Sequence, residues 1–93
     1  MNQTFNVKLI KGHFPAEEAK DILQHMFTKK IHFHEMKNFS SRERYGIDDA
    51  TSVRRIPELI QSQTEIDEII QLATDSQQEM LIDAVITIQL IKK

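Results

Sequence analysis

Residues Lys29 to Arg55 read KKIHFHEMKNFSSRERYGIDDATSVRR and contain the turn that decides how this chain folds. The stretch holds seven of the twelve basic residues, two of the four histidines and Gly46, one of only two glycines. From Ile31 onward it has no glycine or proline until Gly46. We therefore predict a long helix that ends near Arg44, with Gly46 as a left-handed C-terminal cap. The alternative is a short strand over residues 31–34 followed by a loop, which would be unusually long for so small a domain.

The first helix is predicted to begin at Pro15. Proline suits the first helical position, where its missing N–H costs nothing. Glu17 and Glu18 follow in the first turn, where negative charge meets the positive end of the helix dipole. Apolar residues at helical spacing then form one stripe: Ala16, Ala19, Ile22, Leu23, Met26 and Phe27, continued by Phe33, Met36 and Ser40.

A second helix is predicted across Asp49–Thr74. Asp48 or Asp49 can cap its N-terminus by accepting a backbone N–H bond. The positions at alternating steps of three and four, the pattern of packed antiparallel helices, are Ile56, Leu59, Gln63, Ile66, Ile70 and Ala73. Pro57 either bends this helix or marks its true start; we expect a bend.

Both ends of the chain are predicted to be strands. Alternation of apolar and polar residues predicts a strand over Thr4–Lys11, ended by Gly12, with Phe5, Val7 and Leu9 on one face. A second strand is predicted over Glu79–Ile91, and its apolar face consists of Ile82, Ala84, Ile86, Ile88 and Leu90.

The predicted helices have similar lengths, roughly 45 and 39 Å at about 1.5 Å per residue. An antiparallel helical hairpin would return the chain to its start, so that the two strands could pair antiparallel. The expected fold is α+β, a single domain over residues 1–93 with the order β-α-α-β. A two-stranded sheet is marginally stable alone, and its face and edges need covering. We therefore expect a homo-oligomer, with a two-fold dimer favoured.

Composition narrows the classes of function. The 93 residues include no cysteine, which excludes disulfides, thiolate metal sites and a cysteine nucleophile. The net charge of −2 names no partner, but residues 29–55 carry a local excess of basic residues, whereas residues 58–83 carry seven acids and no base. We find no signal peptide pattern and no apolar run long enough for a membrane span. A cytoplasmic location without membrane contact is expected.

No catalytic or cofactor motif is present. Two glycines cannot build a phosphate-cradling loop, and there is neither a serine elbow nor an HExxH motif. The acid pairs at Glu17-Glu18 and Asp48-Asp49 lie where helices begin, so we interpret them as caps and dipole partners. We expect no enzyme activity and no cofactor.

The histidines are weak candidates for a metal site. On a helix, His32 and His34 point about 200° apart and cannot converge on one ion. On a strand they would share a face and could bind a metal with a third ligand. We expect surface or hairpin-interface histidines and no metal.

The basic residues around the turn are the stronger candidate site. Five residues would lie at the hairpin end farthest from the sheet: Arg42, Arg44, Tyr45, Arg54 and Arg55. Such a cluster could bind phosphate groups or a nucleic-acid backbone. Interleaved acids such as Glu43 could instead neutralise it, and aromatic residues for base stacking are few.

Several segments together resemble a group of small bacterial hypothetical proteins without assigned function. They are Gly12-His13-Phe14, Glu17-Glu18-Ala19, KIHFH at residues 30–34, FSSRERYG at residues 39–46 and SVRRI at residues 52–56. The resemblance implies no activity, cofactor or binding residue, and Pro57 departs from the group. We therefore expect a non-catalytic homo-oligomeric interaction or structural protein. The alternative is an anion or nucleic-acid binder that uses the basic turn.

Overall fold

The order of elements is strand, helix, helix, strand, as predicted. A computed structural model describes residues 3–93. The elements are β1 (Gln3–Phe14), α1 (Ala16–Tyr45), α2 (Ala50–Asp75) and β2 (Met80–Leu90). The strands pair antiparallel in one two-stranded sheet. The α+β class and the β-α-α-β topology are confirmed.

α1 continues without interruption through residues 31–44, so the alternative of a short strand and a loop is wrong. Glu17 and Glu18 lie in its first turn, where their charge favours the helix dipole. At the other end Gly46 has a φ of 71°, and its N–H donates to the carbonyl of Arg42 at 2.9 Å. The left-handed cap predicted at Gly46 is confirmed.

α2 begins with Asp49 as its cap: the carboxylate accepts the backbone N–H of Ser52 at 3.0 Å. The helix passes through Pro57, so that residue does not mark its start. Proline has no N–H to donate to the carbonyl of Val53, one turn earlier. A bend at this point stays a prediction.

The two strands are paired from one end to the other, apart from one unpaired residue of β1. Gln3 lies opposite Leu90, and Phe14 lies opposite Met80. β1 therefore extends past its predicted end at Lys11, because Gly12 pairs with Ile82 instead of ending the strand. β2 matches its predicted limits to within one residue at each end.

A bulge at Leu9 changes which residues of β1 share a face. Lys8 is opposite Val85 and Ile10 is opposite Ala84, so Leu9 has no partner. An unpaired residue reverses the alternation of a strand. Ile10 therefore joins the face that holds Phe5 and Val7, which the alternation in the sequence did not predict. Leu9 borders the same hollow beside α1 as Ile10 does, and its place on this face stays a prediction.

As a result, one face of the sheet is apolar except for Gln3, which lies opposite Leu90 at its outer end. Its apolar residues are Phe5, Val7, Ile10 and Phe14 of β1 with Met80, Ile82, Ala84, Ile86, Ile88 and Leu90 of β2. The opposite face carries polar pairs: Thr87 donates to Asn6 at 2.9 Å, and Lys8 lies 3.4 Å from Asp83.

The two helices pack against each other along the hairpin, whereas the sheet contacts α1 only near the N-terminal end of that helix. Within residues 3–93, the buried apolar residues all belong to the helices: Ala19, Leu59, Ile70 and Ala73. Leu9 and Ile10 border a hollow that Ile22 and Met26 of α1 also line. The chain measures 50 × 35 × 15 Å.

Replacement of Gly46 should destabilise the hairpin through backbone conformation alone. A Cβ at this position would meet nothing within 4 Å, but a left-handed conformation costs an L-residue about 1–2 kcal/mol. We expect Gly46→Ala to lower the free energy of unfolding by that amount in urea denaturation. Gly46→Asn should cost less, because asparagine tolerates the conformation. Equal stability of the alanine variant and the wild type would contradict this prediction.

Candidate functional site

The predicted basic residues do not form a single pocket. Arg42 makes an ion pair with Asp48 across the turn. That hydrogen bond lowers the pKa of the Asp48 carboxyl and raises the pKa of Arg42, so both groups stay charged. Arg42, one of the five predicted residues, therefore stabilises the turn through this ion pair.

The other members point to different parts of the surface. Arg44 and Tyr45 line a hollow together with Asp49, and Tyr45 is 72% exposed. Arg55 lies 3.7 Å from Glu58 and lines a separate hollow. Arg54 is exposed on α2. Within residues 3–93, Arg44 and Arg54 are the members of this set without an ion pair.

Polar side chains of α1 form hydrogen bonds to the backbone of the turn that were not predicted from the sequence. The backbone N–H of Asp49 donates to the Asn38 side chain at 2.7 Å. The Ser41 hydroxyl donates to the carbonyl of Ile47 at 2.9 Å. These bonds satisfy backbone groups that the chain reversal would otherwise leave without partners. Much of the polar sequence near Gly46 therefore has a structural role.

The most buried polar contact of the hairpin joins His34 of α1 to Ser52 of α2. Nδ1 of His34 lies 3.1 Å from Oγ of Ser52. Ser52 is fully buried and His34 is 6% exposed. Nε2 of His34 is buried without a hydrogen-bond partner in the described part of the chain. The expectation of hairpin-interface histidines is met by His34, whereas His32 is exposed.

The face of α1 that meets α2 differs from the predicted one. The predicted stripe continued through Phe33, Met36 and Ser40, but all three are exposed. His34 is buried instead. The half-buried residues beside it, at steps of three and four, are Ile31, Asn38 and Ser41. The prediction failed because polar residues fill the inner positions near the turn, where they bond to the reversing backbone.

The His34–Ser52 pair has the composition of a base and a nucleophile, but its location argues for packing. Ser52 exposes none of its surface, so in this conformation its hydroxyl is inaccessible to a substrate. The pair joins the two helices by a polar contact. Across residues 3–93 there is also no group of three or more histidines, aspartates or glutamates that could hold a metal ion.

Charges around His34 disfavour its protonation. Burial lowers the pKa of the imidazole, and Lys30, Lys37 and Arg55 lower it further, against a smaller opposing effect of Asp49. These groups come from both helices. His34 is therefore neutral in the folded chain at neutral pH.

The most prominent surface of the molecule is the outer half of the apolar sheet face. We call it the sheet patch, and its residues are Phe5, Val7, Ile86, Ile88 and Leu90. Their exposed fractions run from 41% to 53%. The inner half of the same face, nearer the helices, is half-buried at residues such as Ile10 and Ile82. The structure thus leaves about half of an apolar face without a covering layer.

The dimensions of the chain lead to the same observation. Its radius of gyration is 16.7 Å, whereas a compact domain of this length has one of about 12 Å. Domains are built from at least two packed layers. This chain supplies two helices side by side and a sheet that extends past them, so most of its elements have one open face.

Comparison with protein family models, with characterised proteins and with solved structures finds no match for this chain. The resemblance to small bacterial proteins therefore stays an expectation. Neither helix in the described part of the chain has an apolar stretch long enough to cross a bilayer.

The folded chain should lose stability as the pH falls below the ordinary pKa of a histidine side chain, 6.5. In the folded chain the pKa of His34 lies below its usual value of 6.5. Below about pH 6.5 the unfolded state therefore binds more protons than the folded state, and unfolding is favoured. Urea midpoints at fixed protein concentration should therefore fall between pH 7.5 and pH 5. His34→Gln removes this titration and should flatten the decline. An equally steep decline in that variant would refute the assignment.

Proposed function

We propose that this chain is a non-catalytic interaction module that works as a homodimer, with the sheet patch buried against a second copy. A cytoplasmic location belongs to the same proposal. The observation that carries it is the uncovered apolar half of the sheet face.

The exposed area supports an obligate partner. The chain exposes 7572 Å², whereas a folded monomer of 10.9 kDa exposes about 5600 Å². The excess of about 2000 Å² per chain is more than the roughly 800 Å² that each partner contributes to a standard stable interface. Soluble monomers seldom expose large contiguous apolar patches, which mark interaction sites.

The chemistry of the sheet patch favours a second copy as the partner. The patch contains no charged residue, so a two-fold arrangement brings no like charges together. Residues such as Phe5 and Ile88 would interdigitate with their counterparts, as in two sheets packed face to face about 10 Å apart. The resulting dimer would cover the outer half of the sheet with a second layer.

Anion or nucleic-acid binding at the turn is the second candidate function. Its support is the exposure of Arg44, Arg54 and Tyr45, since both arginines lack ion pairs among residues 3–93. Against it, Asp48 neutralises Arg42, and the hollow beside Arg44 contains the carboxylate of Asp49. We therefore rank it below self-association.

Sedimentation measurements test the dimer directly. The wild-type chain should sediment at twice its mass of 10.9 kDa. Ile88→Glu places a charge in the patch twice per dimer. Burial of one such side chain contributes about 1.5–3 kcal/mol, so the dimer Kd should rise at least about a hundredfold.

Val85→Glu is the matched control for Ile88→Glu. Val85 lies on the same strand but on the polar face, opposite Lys8, and has a similar exposed fraction of 49% against 46%. This variant should dimerise like the wild type. Circular dichroism should confirm that both variants keep their helices. A monomeric wild type, or an Ile88→Glu variant that dimerises normally, would rule out the proposal.

The second candidate is tested by the anisotropy of a fluorescent single-stranded oligonucleotide at low and at near-physiological salt. If the turn binds phosphates, Arg44→Ala with Arg54→Ala should weaken binding and reduce the slope of log K against log salt by about 2. Lys92→Ala with Lys93→Ala removes the same charge elsewhere and serves as the control. Equal binding by both double variants would eliminate the turn as the site.

A further inference from the structure

A second row of side chains runs along α1, apart from the side of the helix that buries His34 against α2. Residues at alternating steps of three and four lie on one face of a helix. We call this row the outer seam, and its residues are Ala19, Ile22, Met26, Lys29, Phe33, Met36, Ser40 and Glu43.

The sheet covers only the first half of the outer seam. Ile22 and Met26 are half-buried, and they line a hollow together with residues of β1. From Lys29 onward every residue of the outer seam is exposed. Among them, Phe33 and Met36 are 53% and 50% exposed. Within residues 3–93, the outer seam thus continues for about 21 Å past the sheet without a covering element.

The open half of the outer seam has the shape of a helix-docking surface. A repeat of three and four is the spacing at which two helices pack along their length. Phe33 provides large contact area, and Met36 can adapt its shape to an irregular partner. Phe39 lies beside the seam and is 56% exposed. These three side chains line one elongated hollow of about 740 Å³, which a partner helix could fill.

A row of cations follows one flank of the outer seam. Lys30, Lys37 and Arg44 stand at seven-residue intervals, and all three are exposed. None of them has an ion pair within residues 3–93. Nζ of Lys30 lies 4.8 Å from the centre of the Phe33 ring, so the row borders the apolar surface directly. In paired helices, charges at such flanking positions select the partner.

This row of cations selects against a second copy of α1. If two α1 helices packed antiparallel about a two-fold axis, each row would lie beside the same row of the other chain. Like charges in such proximity disfavour the pairing. A helix with a row of carboxylates would instead satisfy the cations and the apolar surface together.

We propose that the open half of the outer seam docks an acidic amphipathic helix of a different protein. The partner helix carries apolar residues at the same spacing and glutamates or aspartates at seven-residue intervals beside them. The inference goes beyond the proposed dimer and does not depend on it, because the sheet patch takes no part in this contact.

A synthetic helix of this chemistry tests the inference. The acidic probe is a fluorescein-labelled peptide of about 21 residues, three seven-residue repeats, with leucine at steps of three and four and glutamate at the flanking positions. The basic probe has lysine in place of each glutamate. In fluorescence anisotropy with the full chain, the acidic probe should bind at least about tenfold more tightly than the basic probe. Added salt should weaken its binding.

Charge reversal on the flank should exchange the preference. Lys37→Glu combined with Arg44→Glu should weaken binding of the acidic probe at least about tenfold and strengthen binding of the basic probe. Lys92→Glu combined with Lys93→Glu changes the net charge equally, away from the outer seam. This control should bind the acidic probe like the wild type.

The apolar part of the surface is tested in the same way. Phe33→Ala combined with Met36→Ala should also weaken binding of the acidic probe, because it removes the largest contacts. The matched control is Ile69→Ala combined with Leu72→Ala, two residues of α2 that are 54% and 66% exposed. It should bind the acidic probe normally. Circular dichroism should confirm that all four variants keep their helices.

Three results would overturn the inference. The first is equal binding of the acidic and basic probes. The second is a seam variant, of either kind, that binds the acidic probe as well as its control does. The third is an oligonucleotide that binds more tightly than the acidic probe and is lost in the charge-reversed seam variant, which would assign the surface to nucleic acid.

The outcomes are separable from those of the proposed dimer. The Ile88→Glu variant should bind the acidic probe like the wild type, because the sheet patch and the outer seam act independently. A monomeric wild type that binds the acidic probe would remove the dimer and leave this inference standing. A dimeric wild type that fails to bind the probe would remove this inference alone.

Discussion

The reversal of the chain between α1 and α2 is the constraint on which the rest of the structure depends. Gly46 supplies the left-handed conformation that ends α1, and Asp49 caps the start of α2. The Asn38 side chain ties the two together. Because the helices are of similar length, this reversal brings the chain ends side by side. Pairing of β1 with β2, and thus the apolar sheet face, follows from it.

The hairpin is closed by polar contacts at one end and apolar contacts at the other. Near the turn, His34 and Ser52 occupy the inner positions. Toward the sheet, Ile70 and Ala73 are buried. A polar contact is directional, so it fixes how the helices are aligned, whereas apolar contacts contribute most of the stabilisation. The apolar residues of α1 that take no part in these contacts with α2 are exposed.

The sequence was sufficient for the order of elements because each has a local cause. Gly46 and Asp49 mark helix ends by backbone chemistry that a single chain reveals, whereas Pro15 precedes α1 as its N-cap and is not the first helical residue that was predicted. His34 was not identified as an inner residue, although it stands at regular steps from Ile31 and Asn38, because hydrophobic periodicity gives polar residues no weight. The bulge at Leu9 was missed because Leu9 and Ile10 are both apolar, and only the pairing with β2 reveals the extra residue. The sequence also located the arginines near the turn, but it could not identify their ion-pair partners, because these depend on side-chain geometry.

The bulge at Leu9 also lies at the boundary between two halves of the sheet. On the helix side, Ile10 and Ala84 are half-buried; on the other side, Val7 and Ile86 belong to the exposed patch. A bulge bends its strand and increases the local twist. The outer half of the sheet is therefore rotated relative to the part anchored on α1. The bulge at one unpaired residue thus sets the angle between the two halves of the sheet. It thereby determines the orientation in which the sheet patch is presented to a partner.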